Sequence, residues 1–170
     1  LDNAKKAVDH ADFFGPDSSV AFDSVSLNIS GDKYYEKGDI DAAMAEYNLA
    51  LTLDPENVNV HNSLGVCHGI KEDTDMALAA FQIALRINPE EILAIYNAGY
   101  IHLVKGTYST ALEFFERAGN IDENLFEVNF QTGRVLLQLD RPTEAKTYLE
   151  RALALNDQSA ATHRYIGDCH

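Results

Sequence analysis

Small and apolar residues return along this chain at a fixed interval of 34. Glycine occupies Gly31, Gly65, Gly99, Gly133 and Gly167. Twelve residues after each of the first four comes Ala43, Ala77, Ala111 or Ala145, and four further on a large apolar residue, Tyr47, Phe81, Phe115 or Leu149. Three beyond that stands a second alanine, Ala50, Ala84, Ala118 or Ala152. Five of the ten glycines in one register is a repeat, not an accident of composition. Within each unit the apolar positions are three and four apart, the period of a helical face. Two such runs per unit are separated by "EKGDI", "KEDTD", "VKGTY" and "QLDRP". Each unit is therefore predicted to be a helix A, a tight turn and a helix B.

The turn chemistry agrees. Gly38 and Gly106 suit the left-handed residue that ends a helix, and Asp39, Thr107 and Asp140 suit the N-cap of the next. Pro142 falls at the start of its helix, where a missing N–H costs nothing. Glycine and alanine mark places where two helix axes approach closely; a larger residue there would cost roughly 1–3 kcal/mol by overpacking.

Gly, Ala, aromatic, Ala and Pro at these offsets (Pro55 and Pro89 close the first two units) resemble the tetratricopeptide repeat. The resemblance implies an all-α, right-handed superhelical solenoid of antiparallel helix pairs, with four full repeats and half repeats at both ends. Residues 1–16 are expected to be helix B of a truncated repeat, since Ala4, Val8, Ala11 and Pro16 keep helix B spacing. The full repeats are expected at 17–57, 58–91, 92–125 and 126–159, and helix A of a truncated fifth at 160–170. Asp17 or Ser18 as N-cap, followed by Val20, Phe22 and Val25, predicts a first helix A lengthened by about a turn at its start. Two family places are altered. The usual tryptophan is replaced by Leu27, His61, Ile95, Asn129 and His163. The usual tyrosine survives only as Tyr34, with His68, His102, Leu136 and His170 elsewhere. Beginning and ending on half a repeat, the chain is expected to be an excerpt of a longer protein. Its bare ends, with Ala4 on the first helix and Gly167 on the last, would allow end-to-end self-association.

The repeat also bounds the chemistry. The two cysteines, Cys67 and Cys169, lie three repeats apart. Helices packed at about 8–10 Å would then separate them by roughly 25–30 Å, too far for a disulfide. Adjacent Cys and His on a helix point about 100° apart, so neither Cys67-His68 nor Cys169-His170 has metal-ligand spacing. Free, partly buried thiols are expected. Glu90-Glu91, Asp122-Glu123 and the pair Asp73 and Asp75 fall in turns or at helix starts, where carboxylates favour the helix dipole. No catalytic residue, cofactor or metal is expected. Thirteen basic against 27 acidic residues, a net charge of −14, argues against nucleic acid or anionic membrane and favours a neutral or basic protein or peptide. No apolar run approaches membrane-spanning length and no signal peptide is visible, so a cytoplasmic protein is expected.

Function must then come from surface shape. The resemblance implies a concave groove lined by one stripe of each helix A. Its candidate residues are Asn28, Tyr35, Asn59, Asn62, Val66, Leu93, Tyr96, Tyr100, Phe130 and Arg134. Family members that grip a C-terminal carboxylate place Lys, Asn and Arg at set positions. Here those positions hold Asn28, Asp32, Ser63, Leu93 and Asn97, or, one repeat on, Asn62, Val66, Asn97, Glu127 and Gln131. No carboxylate clamp is expected. Three readings follow: a module binding a peptide or partner segment in the groove; a scaffold whose groove is filled in cis or by another copy; or the regulatory arm of an enzyme whose catalytic domain is absent.

Overall fold

The computed structural model describes residues 23–169, all of whose regular elements are helices. The expected helix B at 1–16 and His170 lie outside the described residues. The helices are α1 (Ser24–Glu36), α2 (Ile40–Leu53), α3 (Val58–Ile70), α4 (Thr74–Ile87), α5 (Ile92–Val104), α6 (Tyr108–Ile121), α7 (Phe126–Gln138), α8 (Pro142–Leu155) and α9 (Ala160–Gly167). They fall into two compact units that divide between Ile87 and Asn88. In the first, α1 packs on α2, α2 on α3 and α3 on α4; in the second the same neighbour packing runs from α5 to α9. Turns of a few residues make consecutive helices antiparallel.

The repeated positions build the core. All eight repeat alanines, from Ala43 to Ala152, are 0% exposed, and Tyr47, Phe81, Phe115 and Leu149 are buried beside them. Each of these large side chains fills the space that a glycine leaves on helix A. A Cβ on Gly31 would lie 2.4 Å from Tyr47 Cε1, one on Gly65 2.4 Å from Phe81 Cε1, and one on Gly133 2.5 Å from Leu149 Cγ. Such distances are below any real carbon contact, so glycine is required where helix A rests on helix B. Tyr47 is the polar version of the interlock. Its hydroxyl donates to Asp32 Oδ1 at 2.6 Å, and burial together with that carboxylate holds the phenol far above its ordinary pKa.

The turn inside each pair is one motif repeated four times. Gly38 (φ +77°), Glu72 (+61°), Gly106 (+73°) and Asp140 (+57°) all take the left-handed conformation. The following N–H reaches back five residues to a helical carbonyl: Asp39 to Tyr34, Asp73 to His68, Thr107 to His102 and Arg141 to Leu136, each at 2.9 Å. That is the Schellman closure of a helix C-terminus. The sequence reading identified only the two glycines. It also placed Asp140 as an N-cap, and this is corrected: Asp140 holds the left-handed place and Arg141 is the N-cap, bonding Glu144 at 2.7 Å. Asp39 does cap α2, accepting from Ala42 N–H at 3.1 Å. Thr107 stands at the cap but turns its hydroxyl back to His102 O instead.

At the other end, α1 begins at Ser24 and has 13 residues, as do α3, α5 and α7. The lengthening expected before it, at residues 17–22, lies outside the described residues. Asp23 has extended backbone and accepts from both Ser26 N–H and Ser26 Oγ, which fixes the helix start there.

The residues standing where the family has tryptophan also find a task. His61 Nε2 donates to Pro55 O at 2.9 Å, Asn129 Nδ2 to Glu123 O at 2.8 Å, and His163 Nε2 to Asp157 O at 3.3 Å. Each bond ties helix A to the carbonyl of the loop that precedes it. In the third repeat, where Ile95 cannot donate, Arg117 bonds the equivalent Pro89 carbonyl.

Candidate functional site

The second unit carries the more developed surface. Along α5, the apolar face that is not used by the core shows Leu93 (58% exposed), Tyr100 (43%) and Val104 (61%). Across α5, α7 and α9 and the start of α6 a cavity of about 300 Å³ opens, lined by Tyr100, Leu103, Val104, Tyr108, Arg134, Gln138 and Tyr165. Helical spacing explains the lining: Tyr100, Leu103 and Val104 lie three and four apart on α5, and Arg134 and Gln138 four apart on α7.

Beside the cavity is an aromatic stack with an arginine set into it. The Phe126 and Phe130 rings are parallel at 5.7 Å, and Tyr165 meets Phe130 edge-on at 5.6 Å. The Arg134 guanidinium lies 5.8 Å from the Phe130 centroid and 5.6 Å from that of Tyr165, within cation–π range of both. Its Nη1 donates to Gln131 Oε1 at 2.8 Å. Gln131 in turn faces the Tyr96 hydroxyl. Burial raises the Tyr96 pKa, the Gln131 hydrogen bond opposes that rise, and the Glu127 charge adds to it. Tyr96 also rests on the core ring of Phe115, at 5.7 Å and a 48° tilt.

The ten residues singled out from sequence thus separate. Tyr100 and Arg134 line the cavity; Phe130 supports Arg134; Tyr96 braces Gln131 and the core; Leu93 stands exposed at the start of α5, outside the lining. Asn28, Tyr35, Asn59, Asn62 and Val66 belong to α1 and α3 of the first unit. Tyr35 and Asn59 are exposed, while Asn62 and Val66 are half-buried. Asn28 Oδ1 is buried without a hydrogen-bond partner among the described residues. Sequence reasoning missed Tyr108 and Tyr165. Tyr165 belongs to α9, and its place at the cavity is set by packing against Phe130 of α7.

Both cysteines are free thiols. Cys67 is wholly buried, and burial followed by the Asp32 charge pushes its pKa up to about 11. The Cys169 thiol donates to Tyr165 O at 3.2 Å. Among the described residues no three His, Cys, Asp or Glu side chains are grouped to hold a metal, and no helix is long and apolar enough to cross a membrane.

Known structures share this architecture. Pseudomonas aeruginosa pilF superposes with a TM-score of 0.80 at 22% identity, over 86% of this chain and 67% of its own. MamA gives 0.75 at 21%, over 82% and 81%. YrrB, described as a TPR protein with an unusual peptide-binding site, gives 0.74 at 23%, over 86% and 76%. At these identities the likeness is one of fold. No curated protein sequence matches the chain. Family patterns do: the TPR repeat matches residues 31–69, and the tetratricopeptide repeat matches residues 71–123 and 130–170. With helix pairs, glycine–aromatic interlocks and family pattern in agreement over most of its length, the chain belongs to the tetratricopeptide repeat family.

Proposed function

We propose that this chain is a protein-interaction module that binds a peptide or partner segment on the helix A side of its second unit. The observation that carries the reading is the cavity lined from α5, α6, α7 and α9, where Leu103 and Tyr108 rest on the core and Tyr100 and Val104 stand exposed. An exposed apolar surface rimmed by polar groups is how such sites present themselves. YrrB, a TPR protein with an unusual peptide-binding site, supports the same class of activity for this fold. Tyr100 is the anchor; Arg134 fixes the orientation; Leu93 extends the apolar track.

Peptide display against the full chain tests this. Tyr100→Ala with Val104→Ser removes two exposed side chains and leaves the helical signal intact, because neither belongs to the core. Aromatic anchors at binding centres commonly contribute about 2 kcal/mol or more. Selected peptides should therefore lose at least about tenfold in affinity. Equal affinity for the double variant overturns the site.

A further inference from the structure

Arg134 is the one charged residue in the cavity wall. The chain holds 27 acidic residues against 13 basic ones, yet no carboxylate among the described residues pairs with this guanidinium. Its position is nevertheless fixed. Gln131 takes one N–H, and the Phe130 and Tyr165 rings hold the group from two sides. A guanidinium has five donors in a planar fork, so donors remain beyond the one given to Gln131. Around it stand the tyrosines Tyr100, Tyr108 and Tyr165, and the aliphatic wall of Leu103 and Val104.

From this geometry we infer that the cavity recognises an internal aspartate or glutamate of a partner peptide, next to an aliphatic side chain. The inference rests on the peptide-binding reading above and names what that peptide must carry. A carboxylate matches the fork of Arg134 and accepts charge-assisted hydrogen bonds from it. The aliphatic neighbour meets Leu103 and Val104. About 300 Å³ is at the small end of binding pockets and suits side chains, not a whole cofactor. A phosphate group is the poorer match: it brings close to two negative charges to a single arginine on a chain of net charge −14. The recognition differs from a carboxylate clamp, because no free C-terminus is needed and the clamp positions lack Lys and Arg.

The test is an array of C-terminally amidated nonapeptides probed with the full chain. Sets share a central aliphatic residue followed by Glu, Gln, Lys or phosphoserine. Blocking the C-terminus leaves only side-chain carboxylates to be read. The Glu set should outbind the Gln set by about tenfold, roughly the 1.4 kcal/mol of a modest charge-assisted contact. Arg134→Gln should erase that preference at unchanged thermal stability, and Arg134→Lys should keep part of it. Gln or Lys peptides binding as well as Glu peptides overturn the carboxylate assignment while leaving peptide binding in place. Best binding of the phosphoserine set overturns the choice of a carboxylate. Absence of binding by every set overturns both readings. Self-association in sedimentation that Arg134→Gln abolishes would put a second copy of the chain in the cavity and overturn a foreign peptide. If Arg134→Gln does not fold, the Glu-to-Gln ratio on the wild-type chain still decides.

Discussion

At the scale of single residues, four left-handed turn positions differ in how well their side chains suit them. Gly38 and Gly106 adopt positive φ without penalty, whereas Glu72 and Asp140 carry a Cβ into it. For an ordinary L-residue that conformation costs about 1–2 kcal/mol. Glycine gives back about 0.5–1 kcal/mol of this through its greater freedom when unfolded. Glu72→Gly should therefore stabilise the protein by about 0.5–1 kcal/mol. Asp140→Gly should gain less, because aspartate tolerates the left-handed region better than glutamate. Gly106→Ala should move the other way by about 1 kcal/mol or more. Urea midpoints of the three variants check the order. A midpoint for Glu72→Gly at or below wild type would mean that its φ carries no strain.

At the scale of the helix pair, the glycine on helix A is a socket for the large side chain of helix B. Adding a methyl at Gly65 meets the Phe81 ring, which is 1% exposed and has nowhere to turn. Gly65→Ala should cost about 1–3 kcal/mol, the range of overpacking. Gly167 occupies the same register on α9 with nothing within 4 Å of an added Cβ. Gly167→Ala should be neutral or slightly stabilising, within about 0.5–1 kcal/mol, since only helix propensity changes. Thermal melts compare them; equal losses at both sites would show that the glycines are kept for backbone reasons and not for packing. This socket was legible in the sequence, because spacing and residue size carry it: glycine and alanine at fixed offsets marked the helix pairs found among the described residues. What spacing does not carry was missed. Glu72 gives no compositional hint of a left-handed backbone, because the surrounding Schellman bonds impose it. Likewise His61, Asn129 and His163 looked like mere losses of tryptophan, when each donates to a loop carbonyl six residues back. The cavity was half legible. Tyr100 and Arg134 came with the stripe that the family resemblance implies, but Tyr165 joined them through packing of α9 beside α7, which no single-helix pattern contains.

At the scale of the whole molecule, a net charge of −14 and a cavity centred on Arg134 pull in opposite directions on an acidic peptide. They act over different distances, and salt separates them. The field of the whole chain reaches about 30 Å at 0.01 M salt and about 8 Å at 0.15 M. A peptide approaching at low salt meets the repulsion of the full excess of acids before it reaches any single arginine. Once bound, its carboxylate would stand within hydrogen-bond distance of Arg134, a separation that salt screens weakly. Long-range charge thus controls the encounter, and the local contact controls the lifetime of the complex. Raising salt across this range should speed association of a Glu-bearing probe several-fold and leave its dissociation rate nearly unchanged. A Lys-bearing probe of equal length should associate more slowly as salt rises, because the same field attracts it. Stopped-flow fluorescence on the full chain measures both rates. Should association of the Glu probe slow with salt, the surface near the cavity steers ligands by its own positive charge, and the net charge of the chain has no part in partner choice.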